Sequence, residues 1–327
     1  MKKRFIFILP VVFLLSGCAS SDDFLYVQPE PIDEKTVMVK TETIAPFITA
    51  MHRKNIPIDE DLVEEQVRAD EKAEPTTYED EIFFLDESWE YADYTAIHND
   101  GVTLHRAKEN RKEIVIAIDP GHGTTGAEGK KMYCHPDQSV KTTGGSTAAG
   151  AVQANAQSSG MTFRDGTGEG IINLKVSRLV MSSLLESGYD VLMLRDSEKI
   201  ELDLLARTLI ANHYADCHIS LHFDGDNLDY DKGAFYIAVP DGIKDMPPVD
   251  SMWRDDDRLG ECIIQGLNDN GVKIYNDGKL KIDLMQTSYS SIPSVDIELG
   301  NQCSDVGDNA LQQLANGVLA GINLFYQ

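Results

Sequence analysis

The sequence predicts an α/β domain with a mainly parallel, twisted sheet flanked by helices. Short apolar runs alternate with amphipathic segments from residue 113 to residue 327, and strands that alternate with helices form parallel sheets. This stretch of about 215 residues is ample for one hydrophobic core. The sequence contains no internal repeats.

The first 17 residues have the features of a lipoprotein signal peptide. A basic start at Lys2–Arg4 precedes an apolar run, Phe5–Leu15, that is too short to span a bilayer comfortably. Leu15-Ser16-Gly17-Cys18 resembles the lipobox of bacterial lipoproteins, in which the signal is removed before a cysteine that carries lipid. We therefore expect an exported protein, anchored by lipid on Cys18 to the outer face of a bacterial membrane and facing the cell wall. The alternative is an ordinary signal peptide in which Cys18 is incidental.

Residues 18–88 are predicted to form an acidic, largely disordered stalk. Between Ala19 and Glu90 the chain has 20 acidic and 6 basic residues, which contribute −14 to the formal net charge of −25. Five prolines interrupt the stretch and its apolar residues are scattered, so it lacks the surface for a packed core. The charge also excludes nucleic acid as an expected partner, because phosphate backbones attract basic surfaces.

Two features mark the approach to the main domain. Ile82–Leu85 is an apolar patch among acidic residues, which is interpreted as a strap that docks on the domain. Residues 89–112 form a lead-in, in which Thr95–Leu104 predicts a hairpin with its turn at Asn99-Asp100-Gly101. The main domain then occupies residues 113–327.

Within the main domain the predicted elements follow in a regular order. Strands are predicted at Glu113–Asp119, Tyr189–Leu194, Asp216–His222, Gly233–Val239 and Ser294–Leu299. Helices are predicted from Glu169 to about Gly188 and at Glu201–Tyr214, Asp250–Asn270 and Ser304–Tyr326. The exception is Thr124–Gly168, about 45 residues rich in Gly, Ser and Thr, and a loop of that length is more often functional than idle.

Four ionisable residues are expected at the carboxyl ends of the strands, where α/β sheets form their sites. His122, His222 and Glu298 stand at or just beyond the ends of three predicted strands, and Glu169 opens a helix that starts at the same edge. Two histidines, one carboxylate and an open position form a catalytic zinc site, and the other carboxylate is then free to act as a base. Taken singly, such histidines are usually structural, and an acid at a helix start usually meets the helix dipole.

These residues belong to five motifs that occur in order along the chain. The motifs are Asp119-Pro120-Gly121-His122-Gly123, Glu169-x-x-x-Asn173-Leu174, Arg207 with Ala211-Asn212, Ile219-Ser220-Leu221-His222 and Pro293-x-x-x-Ile297-Glu298-Leu299-Gly300. Together they resemble the zinc-dependent N-acetylmuramoyl-L-alanine amidases of bacterial cell walls, from about residue 113 to the C-terminus. The resemblance implies that His122, Glu169 and His222 bind one zinc ion and that Glu298 is the catalytic carboxylate.

The resemblance also implies a reaction. This reaction is hydrolysis of the amide between muramic acid and the first L-alanine of the stem peptide, with peptidoglycan or muropeptides as substrate. The sequence departs from the family pattern in the long 124–168 segment, in His222-Phe223-Asp224 and in Leu299-Gly300-Asn301. These departures concern the fit of the substrate rather than the metal chemistry, because the four site residues are all present.

Three other functions remain open from the residues alone. They are a non-catalytic peptidoglycan-binding lipoprotein of the same fold, a zinc peptidase or deacylase that acts on another amide, and an anchor in which the stalk is the working part. A lost ligand would favour the first function, and none is lost. The four site residues do not exclude the second function, and only the family resemblance argues against it.

Several other residues have weaker indications. By strand period Asp296 faces the same way as Glu298, where it either raises the pKa of Glu298 or meets a backbone or basic partner. His218 is expected to be a core residue, and Cys134-His135 is a minor metal candidate. Arg207 and Asn212 are expected to brace the rim of the site.

The long segment and the cysteines leave alternatives. Residues 124–168 are predicted to form a wall of the substrate cleft, with Lys130, Lys131 or Lys141 available to stem-peptide carboxylates. The alternative is a solvated surface insert. Besides Cys18, the chain has four cysteines that either pair outside the cytoplasm or remain free and buried: Cys134, Cys217, Cys262 and Cys303.

Overall fold

A computed structural model of the chain describes residues 80–327. These residues belong to one compact unit, Pro75–Gln327. The predicted signal peptide, the lipidation candidate Cys18 and the predicted stalk up to residue 79 lie outside the described residues, so their assignments stay predictions. No helix in residues 80–327 is long and apolar enough to cross a membrane.

The described residues form ten strands and five α-helices. The strands are β1 (Glu81–Phe83), β2 (Val102–His105), β3 (Val115–Pro120), β4 (Lys131–Tyr133), β5 (Gln153–Asn155), β6 (Asp190–Met193), β7 (Cys217–Asp224), β8 (Ala234–Ala238), β9 (Ile274–Lys281) and β10 (Ser294–Asn301). The helices are α1 (Glu169–Glu186), α2 (Leu204–Tyr214), α3 (Val249–Asp269), α4 (Met285–Tyr289) and α5 (Asp308–Phe325).

Eight of the strands form one sheet in the order β1-β2-β6-β3-β7-β10-β8-β9. The four central strands, β6, β3, β7 and β10, are parallel, whereas β1, β2 and β8 pair antiparallel with their inner neighbours. The predicted fold class, α/β with a mainly parallel sheet, is confirmed. The central strands are buried on both faces, as expected when helices cover both sides of a parallel sheet.

Side chains alternate between two packed layers. Val191 and Met193 of β6 face the layer formed by α1, α3 and α5, whereas Leu192 and Leu194 face the layer formed by α2 and α4. The second layer also contains the lead-in residues and part of the 124–168 segment.

Four elements of the main domain were not predicted: the short strands β4 and β5 of the 124–168 segment, the strand β9 and the helix α4. The strand β9 is an edge strand with Asn276-Asp277-Gly278 at its centre, and its pairing with β8 is shifted by a bulge. Polar residues and a bulge hide the period-two pattern that marks a strand. The helix α4 has only five residues, which is too short for a visible helical period.

The lead-in differs from the predicted hairpin. The strand β2 pairs with β1 and β6, whereas His98 bridges Leu202, so the residues on either side of the Asn99-Asp100-Gly101 turn have different partners. The cause is Asp203, whose carboxylate accepts hydrogen bonds from the backbone N–H groups of Ala96 (2.6 Å) and Ile97 (2.8 Å). The same side chain caps the N-terminus of α2.

The apolar patch at Ile82–Leu85 lies on the domain as a short edge strand. The ring of Phe83 stacks on that of Tyr214 with centroids 4.1 Å apart, and Leu85 is buried. Ile82 and Phe84 face outward and are 64% and 56% exposed. This arrangement agrees with the interpretation of the patch as a docked strap.

The 124–168 segment runs from the carboxyl ends of the parallel strands to their amino ends and back. It starts and ends at the carboxyl edge of β3, but Thr142 packs against Gly242 and Gly145 against Ile282. Residues 242 and 282 follow the ends of β8 and β9. These ends lie beside the amino ends of the parallel strands, because β8 is antiparallel to β10 and β9 is parallel to β8. Most of the segment is therefore a folded insert on the α2 face rather than a cleft wall.

A buried polar cluster holds the far part of this insert. His135 Nε2 lies 2.8 Å from Asp283 Oδ1, and the Asp283 carboxylate also accepts a hydrogen bond from the Thr142 N–H (2.7 Å). Lys141 is buried and donates to the backbone oxygen of Asp283, so the expectation that Lys141 is available to substrate is wrong. Lys130 donates to the backbone oxygen of Ala96, and Lys131 stays exposed.

All four cysteines of the described residues are free thiols, which agrees with the second of the two alternatives. Cys134 and Cys217 are buried, and Cys262 and Cys303 are half-buried. Burial raises the pKa of Cys217 to about 12, so its thiol stays protonated and unreactive at neutral pH.

The docked strap generates a prediction. A chain that starts at residue 89 should unfold at a lower urea concentration than one that starts at residue 80, because burial of Leu85 alone is worth about 1.5–3 kcal/mol. Removing residues 75–79 from a chain that starts at residue 75 serves as the control and should have little effect. Equal urea midpoints for all three chains would contradict the strap.

Candidate metal centre

The register of the parallel strands brings the first two predicted site histidines together. Pro120, the last residue of β3, pairs with Leu221 of β7, and the Gly121 N–H donates to the Leu221 oxygen (3.1 Å). His122 follows in a left-handed conformation with φ of 67°. Gly121 must lack a side chain because a Cβ there would lie 2.1 Å from the His222 ring. The tight Pro120-Gly121-His122 turn therefore places His122 beside His222.

Glu169 reaches the same edge from the first residue of α1. Its carboxylate is 3% exposed and accepts hydrogen bonds from Asn173 Nδ2 (3.0 Å), the Met161 N–H (2.9 Å) and the Phe223 N–H (3.2 Å). These donors hold the carboxylate in one orientation. Outer hydrogen bonds of this kind typically orient metal ligands.

The three side chains form one compact cluster. Glu169 Oε2 lies 2.9 Å from His122 Nε2, and Glu169 Oε1 lies 3.1 Å from His222 Nδ1. One ligand atom from each residue falls within 4.8 Å of the others, so the group can hold a metal ion. His122 Nδ1 lies 3.3 Å from the Ser158 oxygen, which leaves Nε2 to face the cluster.

The donor set fits zinc. Two imidazoles and one carboxylate are three of the four ligands that a catalytic zinc site uses, with the last position open. Burial alone would lower the pKa of His222, but the carboxylates of Asp296 and Glu169 have the larger and opposite effect and raise this pKa to about 10. Acidic groups thus dominate the potential at the cluster, and a cation at this position would be stabilised.

Glu298 lies on the strand next to His222. It pairs in register with His222 across the β7–β10 ladder, and its Oε2 is buried and makes no hydrogen bond within residues 80–327. Burial, followed by the charge of Asp296, raises the pKa of Glu298 well above its usual range. A carboxyl group with a raised pKa beside a metal cluster is suited to accept and release protons.

Asp296 points toward the same cluster. Its Oδ2 lies 3.8 Å from His222 Nε2, and its Oδ1 is buried without a hydrogen bond in the described part of the chain. Both interpretations from the sequence find support. The imidazole of His222 is a basic partner of Asp296, and the charge of Asp296 contributes to the raised pKa of Glu298.

Two buried arginines lie behind the His122 turn. Arg207 pairs with Asp119 (2.8 Å) and donates to the backbone oxygen of His122 (3.0 Å), so it braces the rim as predicted. Arg195 donates to the backbone oxygens of Pro120 and Gly121. Burial, and then the charge of Arg207, lower the pKa of Arg195 to about 10, so its guanidinium stays charged at neutral pH.

The weaker candidates are placed elsewhere. His218 is fully buried, 3.6 Å from Asp119, as expected of a core histidine. His135 binds Asp283 and Ser139 with its two ring nitrogens, so it is not part of the metal cluster. Asn212 hydrogen-bonds the backbone of Tyr289 and Ser291 before β10, so its predicted place at the rim is wrong.

The family model for N-acetylmuramoyl-L-alanine amidase matches residues 116–323, which is more than half of the chain. The chain belongs to this family. The matched residues include all but the first residue of β3, which leads to His122, and the whole of β10, which carries Glu298. The enzyme class, N-acetylmuramoyl-L-alanine amidase, follows from the match.

Two solved structures share the fold of the amidase. The N-acetylmuramyl-L-alanine amidase Ami1 from Mycobacterium smegmatis is 20% identical, with a TM-score of 0.54 over 65% of this chain and 96% of that chain. The apo form of Ami1 from Mycobacterium abscessus is 20% identical, with a TM-score of 0.55 over 66% of this chain and 99% of that chain. A comparison with curated proteins finds no match.

The structure thus brings together the four residues singled out in the sequence, and their individual roles stay predictions. Arg195 was not among the residues predicted from the sequence, although a charged residue two positions after the buried strand β6, at the carboxyl edge, is a signal that could have identified it. Nor did the sequence indicate which part of the insert borders the cluster: a Cβ on Gly160 would lie 2.6 Å from Glu169 Oε2.

The close approach at Gly121 generates a prediction. Gly121→Ala should displace the His222 ring and weaken binding of divalent metal, because an added Cβ would overlap that ring. Metal content after dialysis against a metal buffer measures the effect. Gly144→Ala is the matched control, since its Cβ would meet no atom closer than 3.9 Å. Equal metal content in the two variants would show that the turn has more room than its geometry indicates.

Proposed function

We propose that the amidase is a zinc enzyme that hydrolyses the amide between N-acetylmuramic acid and L-alanine in peptidoglycan. The observation that supports this proposal is the His122–Glu169–His222 cluster with Glu298 beside it, at the carboxyl edge of an amidase domain. We assign one zinc ion per chain to the three clustered residues. The chemistry that zinc supplies when bound is polarisation of a carbonyl and acidification of water.

Glu298 is assigned the proton transfers. A water molecule that attacks the amide carbon must lose a proton, and the leaving amino group of L-alanine must gain one. The Glu298 carboxylate is available for both, because its Oε2 has no hydrogen-bond partner within residues 80–327. Burial, followed by the charge of the neighbouring Asp296, raises the pKa of Glu298, which favours uptake of the proton from water.

The remaining side chains of the site hold the reacting groups in place. Asn173 donates to Glu169 and also lies 3.4 Å from the Gly121 oxygen, so it connects the carboxylate to the His122 turn. Ligands and a base that are already oriented remove the entropic cost of bringing the reacting groups together, and this supplies part of the rate enhancement.

The departures from the family pattern lie beside the site. Asp224, in the His222-Phe223-Asp224 departure, pairs with the buried amine of Lys232. Asn301 donates to Asp226 (3.1 Å) and to the Tyr230 oxygen (3.0 Å). The residues that depart from the pattern therefore fix the 225–232 loop, and we assign to this loop a part in substrate fit rather than in the chemistry.

A matched pair of variants tests the roles. His222→Ala should lose zinc and all hydrolysis, because it removes a ligand. Glu298→Gln should keep zinc and fold but lose about 10²–10⁴-fold in turnover, which is the usual contribution of general acid–base catalysis. Zinc content is measured by elemental analysis, and hydrolysis by mass spectrometry of digested peptidoglycan.

The outcomes separate the alternatives. Full zinc content in His222→Ala would contradict the ligand assignment, and unchanged turnover in Glu298→Gln would contradict the assignment of Glu298. Wild-type protein that binds zinc but releases no L-alanine peptide would favour a wall-binding protein. Cleavage at a different amide would favour a peptidase.

We also propose that the amidase is exported and held by lipid on Cys18 to the outer face of a bacterial membrane. The supporting observation is the Leu15-Ser16-Gly17-Cys18 sequence after an apolar run. Peptidoglycan lies outside that membrane, so the location agrees with the proposed substrate.

The lipid anchor can be tested by fractionation. In a bacterium that processes lipoproteins, the wild type should incorporate labelled palmitate and sediment with membranes, whereas Cys18→Ala should do neither. Cys303→Ala, which changes a thiol of the folded domain, is the control and should behave like the wild type. Palmitate labelling that persists in Cys18→Ala would exclude this anchor.

A further inference from the structure

Arg195 is the largest fully buried side chain among the described residues. It follows the strand β6 at the carboxyl edge of the sheet. No carboxylate within residues 80–327 lies close enough to form an ion pair with it, because Asp119 pairs with Arg207 instead. Burial of an unpaired charge is costly unless hydrogen bonds compensate for the lost water.

Backbone oxygens supply the compensation. The Arg195 guanidinium donates to the oxygens of Pro120 (3.1 Å) and Gly121 (3.0 Å), in the turn that carries His122. It also donates to the Gly170 oxygen (2.9 Å), in the residue after Glu169. One rigid, planar group thus touches the immediate neighbours of two of the three clustered residues.

Arg207 provides an internal comparison. It is also buried and also contacts the His122 turn, but it pairs with Asp119 and makes no hydrogen bond to the start of α1 within the described residues. Arg207 therefore braces one segment, whereas Arg195 connects two segments that are far apart in the sequence. Because the 124–168 insert lies between these segments in the sequence, no short stretch of chain holds them together.

We propose that Arg195 is a positioning residue that sets the distance between His122 and Glu169 by binding the backbone on both sides. The proposal rests on the proposed function, since it concerns the geometry of the zinc ligands. Two ligands that come from an extended turn and a helix start must be held to within about 0.5 Å for a productive site. A flexible side chain at position 195 does not fix three carbonyl oxygens at once.

The test compares zinc affinity in three variants of the full chain. Arg195→Gln removes the charge and most donors, and Arg195→Lys keeps the charge without the planar fork. Arg178→Gln is the matched control, because Arg178 is a half-exposed arginine that donates to Asp196. Zinc dissociation constants are measured by competition with a chromophoric chelator, and urea midpoints are measured on the metal-free proteins.

We expect the dissociation constant for zinc to rise about 10–100-fold in Arg195→Gln, the usual effect of losing an outer partner of a metal site. Arg195→Lys should show a smaller rise, and Arg178→Gln should bind like the wild type. The visible spectrum of the Co²⁺-loaded Arg195 variants should also change, because the ligand geometry changes. A structural role alone would lower the urea midpoint and leave the affinity and the spectrum of the folded protein unchanged.

The other outcomes distinguish the positioning role of Arg195 from a structural role and from failure of the proposed zinc function. Wild-type affinity in folded Arg195→Gln or Arg195→Lys would overturn the positioning role and leave the zinc site intact. If neither variant folds, Arg195 is a structural residue and the proposal is wrong. A wild type that binds no zinc would overturn the proposed function itself.

Discussion

The parallel register of β3, β7 and β10 is the constraint on which the site depends. Because Pro120 pairs with Leu221 and His222 pairs with Glu298, the three strands end together at one edge. A shift of one residue would turn His222 and Glu298 to the opposite face of the sheet. The buried apolar residues of β7 and β10 oppose such a shift, so the packing of the core also fixes the geometry of the candidate metal centre.

The charges at this edge are arranged in two layers. Carboxylates of Glu169, Asp296 and Glu298 surround the two imidazoles, and the guanidinium groups of Arg195 and Arg207 lie behind the His122 turn. The arginines bind backbone oxygens and Asp119, so they hold the turn without neutralising the carboxylates of the cluster. The cluster keeps an acidic potential that favours a cation, while the turn behind it stays rigid.

The insert shows how a long segment can be accommodated beside such a site. Its far part is fixed at the opposite edge of the sheet through His135 and Asp283, and only residues 158–161 touch the cluster. Gly160 and the Met161 N–H lie directly against Glu169. Both ends of the insert are tied to the site, through His122 and Glu169, whereas its middle part is held far from the cluster. The length of that middle part can therefore vary without disturbing the ligands.

The fold class, the order of most strands and helices and the four residues of the candidate site could all be predicted from the sequence. The periodicity of strands and helices and the motifs at strand ends are local signals, so they can be recognised in the sequence. The partners of the lead-in, the path of the insert and the hydrogen bonds of Arg195 could not be predicted and are seen only in the folded chain. These features depend on contacts between distant segments: Asp203 binds the lead-in, Asp283 binds the insert, and Arg195 binds both the His122 turn and the first turn of α1. Long-range hydrogen bonds leave no period in the sequence, so they become visible only when the sheet has brought the segments together.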